Sequence, residues 1–181
     1  AEGRKYEEVV LMTASLARLL RQSISNEDEV VPLAREVEYA KGYLTIQKMR
    51  YKDKLEFEID VEPSILNIPL IKLVLQPIIE NAIYHGLKYK ESKGLLQVKG
   101  FMKDGNAVLQ VIDNGVGMDE ETLSHIYDKH KVNYHSNGVG VYNVQKRLKL
   151  YYGENYGITY ESEKGVGTTA TITIPGIQEE S

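Results

Sequence analysis

The sequence contains no cysteine. Disulfides, thiolate-ligated zinc and thiol nucleophiles are therefore excluded. It also lacks an excess of positive charge: 22 Lys and Arg stand against 26 Asp and Glu, a net charge of -4. A general nucleic-acid binder is expected to be basic, so no nucleic-acid partner is expected. No apolar run approaches the length of a membrane span, and no secretory leader opens the chain. No G-x-x-x-x-G-K-[ST] is present, and no G-x-G-x-x-G has a Rossmann strand-turn-helix setting. There are no repeats or low-complexity tracts. The expectation from these absences is a soluble, cytoplasmic region. The opening Ala1-Glu2-Gly3-Arg4 has no Met, so the expectation extends to a piece cut from a membrane-anchored protein.

What is present is ordinary in amount and uneven in placement. At 181 residues, 42% hydrophobic and 27% charged, the chain can bury a real core as one domain with a helical appendage. Residues 5–50 read as two helices around the acidic turn Ser25-Asn26-Glu27-Asp28-Glu29, with Pro32 opening the second. From Lys54 the period becomes two: Leu55, Phe57, Ile59 and Val61 alternate with charged residues, a half-buried strand. The Leu- and Ile-rich run from Leu66 to Leu87 predicts a helix, with Pro77 inside it as a possible kink. Leu95–Met102 and Ala107–Ile112 predict a hairpin around Lys103-Asp104-Gly105-Asn106. A short helix over 119–127, a polar loop over 128–137, a helix over 139–152 and a last strand pair around Lys164-Gly165 complete the reading. Short hairpins make antiparallel pairs. The expected fold is therefore α+β: a two-layer α/β sandwich, its sheet mostly antiparallel with helices on one face.

Three Gly-Val-Gly triplets, at 115–117, 138–140 and 165–167, each fall at a junction between expected elements. Glycine lets backbone approach a ligand closely. In Gln76-Pro77-Ile78-Ile79-Glu80-Asn81-Ala82-Ile83-Tyr84-His85-Gly86, Asn81 and His85 lie one helical turn apart on one face. An amide on an apolar helix needs a partner. That partner is either a neighbour in the core or a hydrated cation held through the carbonyl oxygen. Asp113, at the end of an apolar strand before a Gly turn, is either a turn former or an acceptor for an exocyclic amine.

Together these segments resemble the N, G1, G2 and G3 boxes of histidine kinases, a group allied to gyrase, Hsp90 and MutL ATPases. The segments Leu75–Ala82 and Tyr43–Tyr51 resemble the LytS/YesM-type sensor kinases more specifically. The resemblance runs from about Tyr6 to Pro175 and implies the Bergerat ATP-binding fold. It implies that Asp113 bonds the adenine amino group, and that Asn81 coordinates Mg²⁺ bridging the phosphates of ATP. It further implies that Gly115, Gly117 and Met118 pass close to the base. By the same resemblance, Gly138, Val139, Gly140 and Val141 would open a helix whose N–H groups can cradle phosphate. The resemblance also implies that Thr168 would support Asp113 through a water and that 119–137 would form a lid.

Departures from the family pattern shape the rest. Tyr84 stands where such kinases carry a phosphate-binding Lys or Arg, leaving His85, Lys88 or a lid cation (Lys129, His130, Lys131) as candidate replacements. Glu80 and His85 join Asn81 as candidate catalytic residues. Hydrolytic relatives place a Glu general base four residues before the Asn, where this chain has Pro77. Glu80 points about 100° away from Asn81 on a helix. The four histidines are His85, His125, His130 and His135, none on the N-terminal helices that follow the family's acceptor segment. The expectation is thus a remnant helical dimerisation region over 1–50 and an ATP-binding catalytic domain over 51–181, unable to phosphorylate itself. The intact kinase would be a homodimer that passes phosphate to a response regulator. The alternatives are a nucleotide-binding sensing module and a gyrase/MutL-like ATPase.

Overall fold

The computed structural model describes residues 29–126 and 138–176. The expected helix over 6–24 and the loop over 128–137 lie outside them. A five-stranded sheet is built from β2 (Leu55–Val61), β4 (Gly94–Lys103), β5 (Asn106–Asp113), β6 (Gly157–Glu163) and β7 (Gly167–Pro175) in the order β2-β4-β5-β7-β6. Three of its four pairings are antiparallel, and β2 with β4 is parallel. The β4–β5 hairpin closes through Asp104 and Gly105, with φ of 50° and 78°. Two successive positive φ values give the turn that matches strand twist. The parallel pair needs a crossover, and residues 62–93 supply it.

Helices α1 (Leu33–Tyr51), α2 (Leu75–Asn81) and α4 (Gly138–Tyr152) share one core with the sheet. A further short helix is α3 (Glu120–Ser124). Leu44 of α1, Ile78 and Ile79 of α2, and Leu148 of α4 are almost wholly buried, with Leu96, Leu109 and Ile172 from the strands. Each such side chain contributes about 1.5–3 kcal/mol by leaving water. The α+β reading, with helices layered on a mostly antiparallel sheet, matches this arrangement.

The run from Leu66 to Leu87 differs from expectation. Pro69–Ile71 forms a short strand, β3, paired antiparallel with β1 (Val30–Pro32). Leu73 then turns at φ 59°, and the helix begins only at Leu75. Ile68, Leu70 and Ile71 are buried, so the apolar content of this stretch serves the core as strand and turn rather than as helix. Pro77 is the third residue of α2. Its missing N–H falls among the first four, which have no intrahelical partner, so it removes no helical bond. After Asn81 the helix widens into a π turn over Ala82–Leu87, where Lys88 N donates to Ile83 O at 2.8 Å. Such turns are rare and concentrate at functional sites.

Candidate functional site

The widened end of α2 lies over the sheet and bounds a cavity of about 520 Å³. Ile78, Asn81, Ala82, His85 and Gly86 form one wall, and Val111, Asp113, Tyr160, Thr168 and Ala170 the sheet side. Gly117, Met118 and residues of α3, among them Glu121 and Thr122, with His125 and Ile126 beyond it, complete the lining. The size suits a small-molecule ligand.

Asp113 ends β5 directly opposite Thr168 of β7. It is one of three buried polar or charged residues among those described. Its Oδ1 accepts from Gly115 N at 2.8 Å. Burial pushes its pKa up to about 6, against the opposing pull of the Gly115 and Thr168 backbone N–H groups and the Lys90 charge. Lys90 is itself anchored by donating to Asn114 O. Asn114 extends the pairing past the strand end: its Oδ1 accepts from Leu95 N at 2.8 Å, and its own N donates to Leu95 O at 3.2 Å.

The 115–118 loop is clamped between α2 and the β6–β7 hairpin. Val116 N donates to Gly86 O at 3.1 Å, and Gly165 N donates to Val116 O at 2.7 Å. A Cβ at Gly115 would lie 2.4 Å from Gly86 C, and one at Gly117 would lie 1.9 Å from Glu163 O. Gly117 also has φ of 63°. Neither position admits a side chain without moving backbone.

Ser162, which the sequence reading passed over, fixes this loop. Its Oγ accepts from Met118 N at 2.8 Å and donates to Gly167 O at 2.9 Å. Its single proton being used, the 2.8 Å contact with Thr168 Oγ1 has Thr168 as donor. The free lone pairs of Thr168 are then acceptors, beside the Asp113 carboxylate. The sheet side of the cavity thus offers two adjacent acceptors.

Asn81 lines the opposite wall, and its Oδ1 is buried and accepts no hydrogen bond. A buried amide oxygen without a partner costs about 1–3 kcal/mol, so a ligand that fills it is strongly favoured. His85 lines the same cavity, and desolvation, followed by the nearby Lys88 charge, lowers its pKa. That favours the neutral imidazole, which supplies a donor or an acceptor but no charge.

The other expected site residues are placed less directly. Glu80 is not among the lining residues; it accepts from Gln76 Nε2 at 2.9 Å and acts electrostatically on Tyr43 of α1. Tyr84 also turns to α1, where its hydroxyl accepts from Arg50 at 3.5 Å. Gly138, Val139, Gly140 and Val141 form the first turn of α4. Val141 is buried in the core, and Gly140 is close enough to α2 that a Cβ would sit 3.3 Å from Pro77 Cβ. The candidate cations Lys129, His130 and Lys131 lie outside the described residues. α3 is capped by Asp119, whose Oδ1 accepts from Thr122 N at 3.0 Å. Among the described residues no group of His, Cys, Asp and Glu is arranged to hold a metal by itself. No described helix is long and apolar enough to cross a membrane.

Known proteins resemble this chain in sequence and in fold. The family model described as histidine kinase-, DNA gyrase B- and HSP90-like ATPase matches residues 67–178, and a histidine kinase model matches residues 1–55. The sensor histidine kinase YesM of Bacillus subtilis is 31% identical over 175 residues, covering 97% of this chain and 29% of its own length. The sensor protein LytS of Oceanobacillus iheyensis is 34% identical over 143 residues, covering 77% of this chain and 24% of its own length. The chain thus spans less than a third of the length of these curated relatives. Among solved structures, the catalytic domain of the histidine kinase ThkA superposes with a TM-score of 0.61 at 16% identity, over 82% of this chain and 99% of that one. The histidine kinase domain of a blue-light activated kinase from Erythrobacter litoralis gives 0.59 at 15% identity, over 96% and 82%. At such identities the superpositions speak for the fold alone. With the family model covering well over half of the sequence, the chain belongs to the histidine kinase-, DNA gyrase B- and HSP90-like ATPase family and carries its ATP-binding domain.

Proposed function

We propose that this chain is the catalytic region of a two-component sensor histidine kinase, with ATP bound between Asp113 and Asn81. The observation that carries the proposal is the pairing in one cavity of two adjacent acceptors, Asp113 and Thr168, with the orphaned oxygen of Asn81 across from them. An adenine amino group has two N–H donors and suits the first pair. Gly117 and Met118 line the cavity where the base would lie, while the missing side chains of Gly115 and Gly117 let this loop pack against Gly86 and Glu163. The Asn81 carbonyl oxygen would hold Mg²⁺. When bound, that ion neutralises phosphate charge and orients the triphosphate for transfer. The first turn of α4, from Gly138 to Val141, would present backbone N–H groups to the phosphates.

In the reaction, a nitrogen of a histidine imidazole attacks the γ-phosphorus. An N–P bond forms, the bond to the β-phosphate oxygen breaks, ADP leaves, and the imidazole proton is lost to solvent. The phosphoryl group then passes to an Asp of a response regulator. Catalysis by positioning needs no protein nucleophile in the pocket. Neutral His85 would donate to a phosphate oxygen. Glu80, engaged with Gln76, would act by holding the helix rather than at the reacting atoms. We place the helical dimerisation region in residues 1–50 and the catalytic domain in 51–181. The intact kinase would be a membrane-anchored homodimer with this region in the cytoplasm.

The histidines give a direct test. His85 and His125 line the nucleotide cavity. His130 and His135 belong to the segment between the first and second Gly-Val-Gly triplets. An in-line acceptor must approach from outside the pocket. Incubated with γ-labelled ATP, the 181-residue chain should bind nucleotide and acquire no acid-labile label. Label mapped to any of its four histidines would contradict this. Steady release of inorganic phosphate would instead favour a gyrase-like hydrolase.

The Asp113 environment also sets a pH dependence. The folded group holds its proton up to about pH 6, while the unfolded chain releases it near 3.8. Its contribution to stability is therefore full below the unfolded value and is lost as pH rises through about 6. Binding of an amine donor favours the carboxylate and has the opposite slope. Adenosine carries no titrating phosphate, so it isolates this effect. Its affinity should rise between pH 5 and 7 and level off above. A flat profile by calorimetry across that range would remove Asp113 from the base site.

A further inference from the structure

Glu36 is a carboxylate that the nucleotide cavity does not use, yet it is only 2% exposed. It sits in the first turn of α1, and its two oxygens accept three consecutive backbone N–H groups. Leu73 N donates to Oε1 at 2.8 Å, and Val74 N and Leu75 N donate to Oε2 at 3.0 and 3.2 Å. These are the residues that open α2. The turn that aims them at one point requires Leu73 at φ 59°, which is uncommon for a non-glycine residue.

The start of α1 is tied to the same segment in two more ways. Leu33 N and Ala34 N donate to Ile68 O and Leu66 O, each at 2.9 Å, and β1 pairs with β3 just ahead of Leu73. From there α1 and α2 run side by side in the same sense. Glu36 lies level with 73–75, and Arg50 lies level with Tyr84. Asn81 is on the stretch between. The acceptors at the base end are held by the sheet: Asp113 and Thr168 are strand residues paired with each other, Glu36 bonds neither strand, and the nucleotide helix reaches this end at Gly86, beyond Asn81.

We propose that Glu36 is a positioning residue that carries the placement of α1 into the nucleotide helix, so that α1 governs affinity for the triphosphate without governing affinity for the base. The inference rests on the reading of the cavity as an ATP site. A charged carboxylate at the opening of a helix is a strong tie, because each N–H it satisfies is otherwise an orphan. Moving α1 moves Glu36, the opening of α2 and then Asn81 as one body. The β5–β7 acceptors stay fixed by their own sheet bonds. Helix α1 is thereby a route by which an upstream displacement reaches the phosphate end of the site.

The test compares ligands with and without phosphates on the whole chain. Glu36→Gln keeps the size of the side chain and one acceptor oxygen. Glu36→Asp keeps the charge and retracts it by one methylene, and serves if the Gln variant does not fold. Calorimetric titration with Mg·ATP should show an affinity loss of about two- to thirtyfold, the range of coupling through packed elements. Titration with adenosine should show less than about a twofold change. In combination with Asn81→Ala, Glu36→Gln should add nothing further to the Mg·ATP loss, because both act through the same oxygen. A folded variant that loses both ligands in equal proportion, or neither, overturns the coupling. A wild-type chain that binds neither ligand overturns the ATP reading itself, and the coupling with it.

Discussion

Asp113→Asn should lower affinity for ATP by about ten- to a hundredfold. The lost interaction is a hydrogen bond from the adenine amine to a charged acceptor, worth about 1.5–3 kcal/mol, and each 1.4 kcal/mol is about a factor of ten. The substitution is isosteric, so the new carbonyl oxygen can still accept from Gly115 N, as Oδ1 does at 2.8 Å. The fold is therefore retained. What changes is the second position, where an amide N–H₂ now faces the donors of the base. The buried carboxylate also costs folding free energy when charged, as its pKa of about 6 indicates. The variant should consequently be at least as stable as the wild type above pH 6 while binding ATP worse. That opposition of stability and affinity separates a ligand-binding Asp from a structural one. Equal ATP affinity of the two proteins by calorimetry would defeat the assignment.

The second large effect belongs to Asn81. Asn81→Ala removes the one buried amide oxygen that, among the described residues of the cavity wall, has no partner. In the free protein this relieves a desolvation cost, so the thermal midpoint should hold or rise. Toward Mg·ATP the affinity should fall by about ten- to a hundredfold, the value of a ligand to a charged group. Toward adenosine it should stay nearly unchanged, because the base is held by Asp113 and Thr168 on the opposite wall. Parallel losses for adenosine and Mg·ATP, with a lowered midpoint, would make Asn81 a fold residue.

How far the sequence led depends on the range of the interactions involved. The β4–β5 hairpin was legible because Asp104-Gly105 carries its own turn chemistry between two alternating runs. Helix α4 and strand β2 were legible because each has a sustained period. Strand β3 was not: three residues are too few for a period, and they are strand only because Val30–Pro32 pairs with them from 39 positions away. The π turn after Asn81 left no mark, since its residues satisfy a helical pattern equally well.

The site divides in the same manner. Asp113, Asn81 and the glycines of 115–117 announced themselves as polar or permissive residues in apolar settings. Ser162 and Glu36 did not. Ser162 reaches Met118 across 44 positions and Glu36 reaches Leu73 across 37, and neither belongs to a local motif. A polar residue whose partners are distant backbone N–H groups looks, in one dimension, like any surface Ser or Glu. Glu80 shows the converse: adjacency to Asn81 drew it into the candidate set, and helical geometry turned it to Gln76 instead.

The most direct test of the adenine-nucleotide site is a calorimetric titration of the unmodified chain with ATP and, separately, with GTP, both with Mg²⁺ at pH 7.5. Guanine carries an acceptor oxygen where adenine carries its amine, and that oxygen would face the Asp113 carboxylate and the Thr168 lone pairs. The expected result is saturable binding of one ATP per chain and at least about tenfold weaker binding of GTP. Equal affinity for the two nucleotides, or no binding of ATP, would contradict the site assigned to Asp113, Thr168 and Asn81.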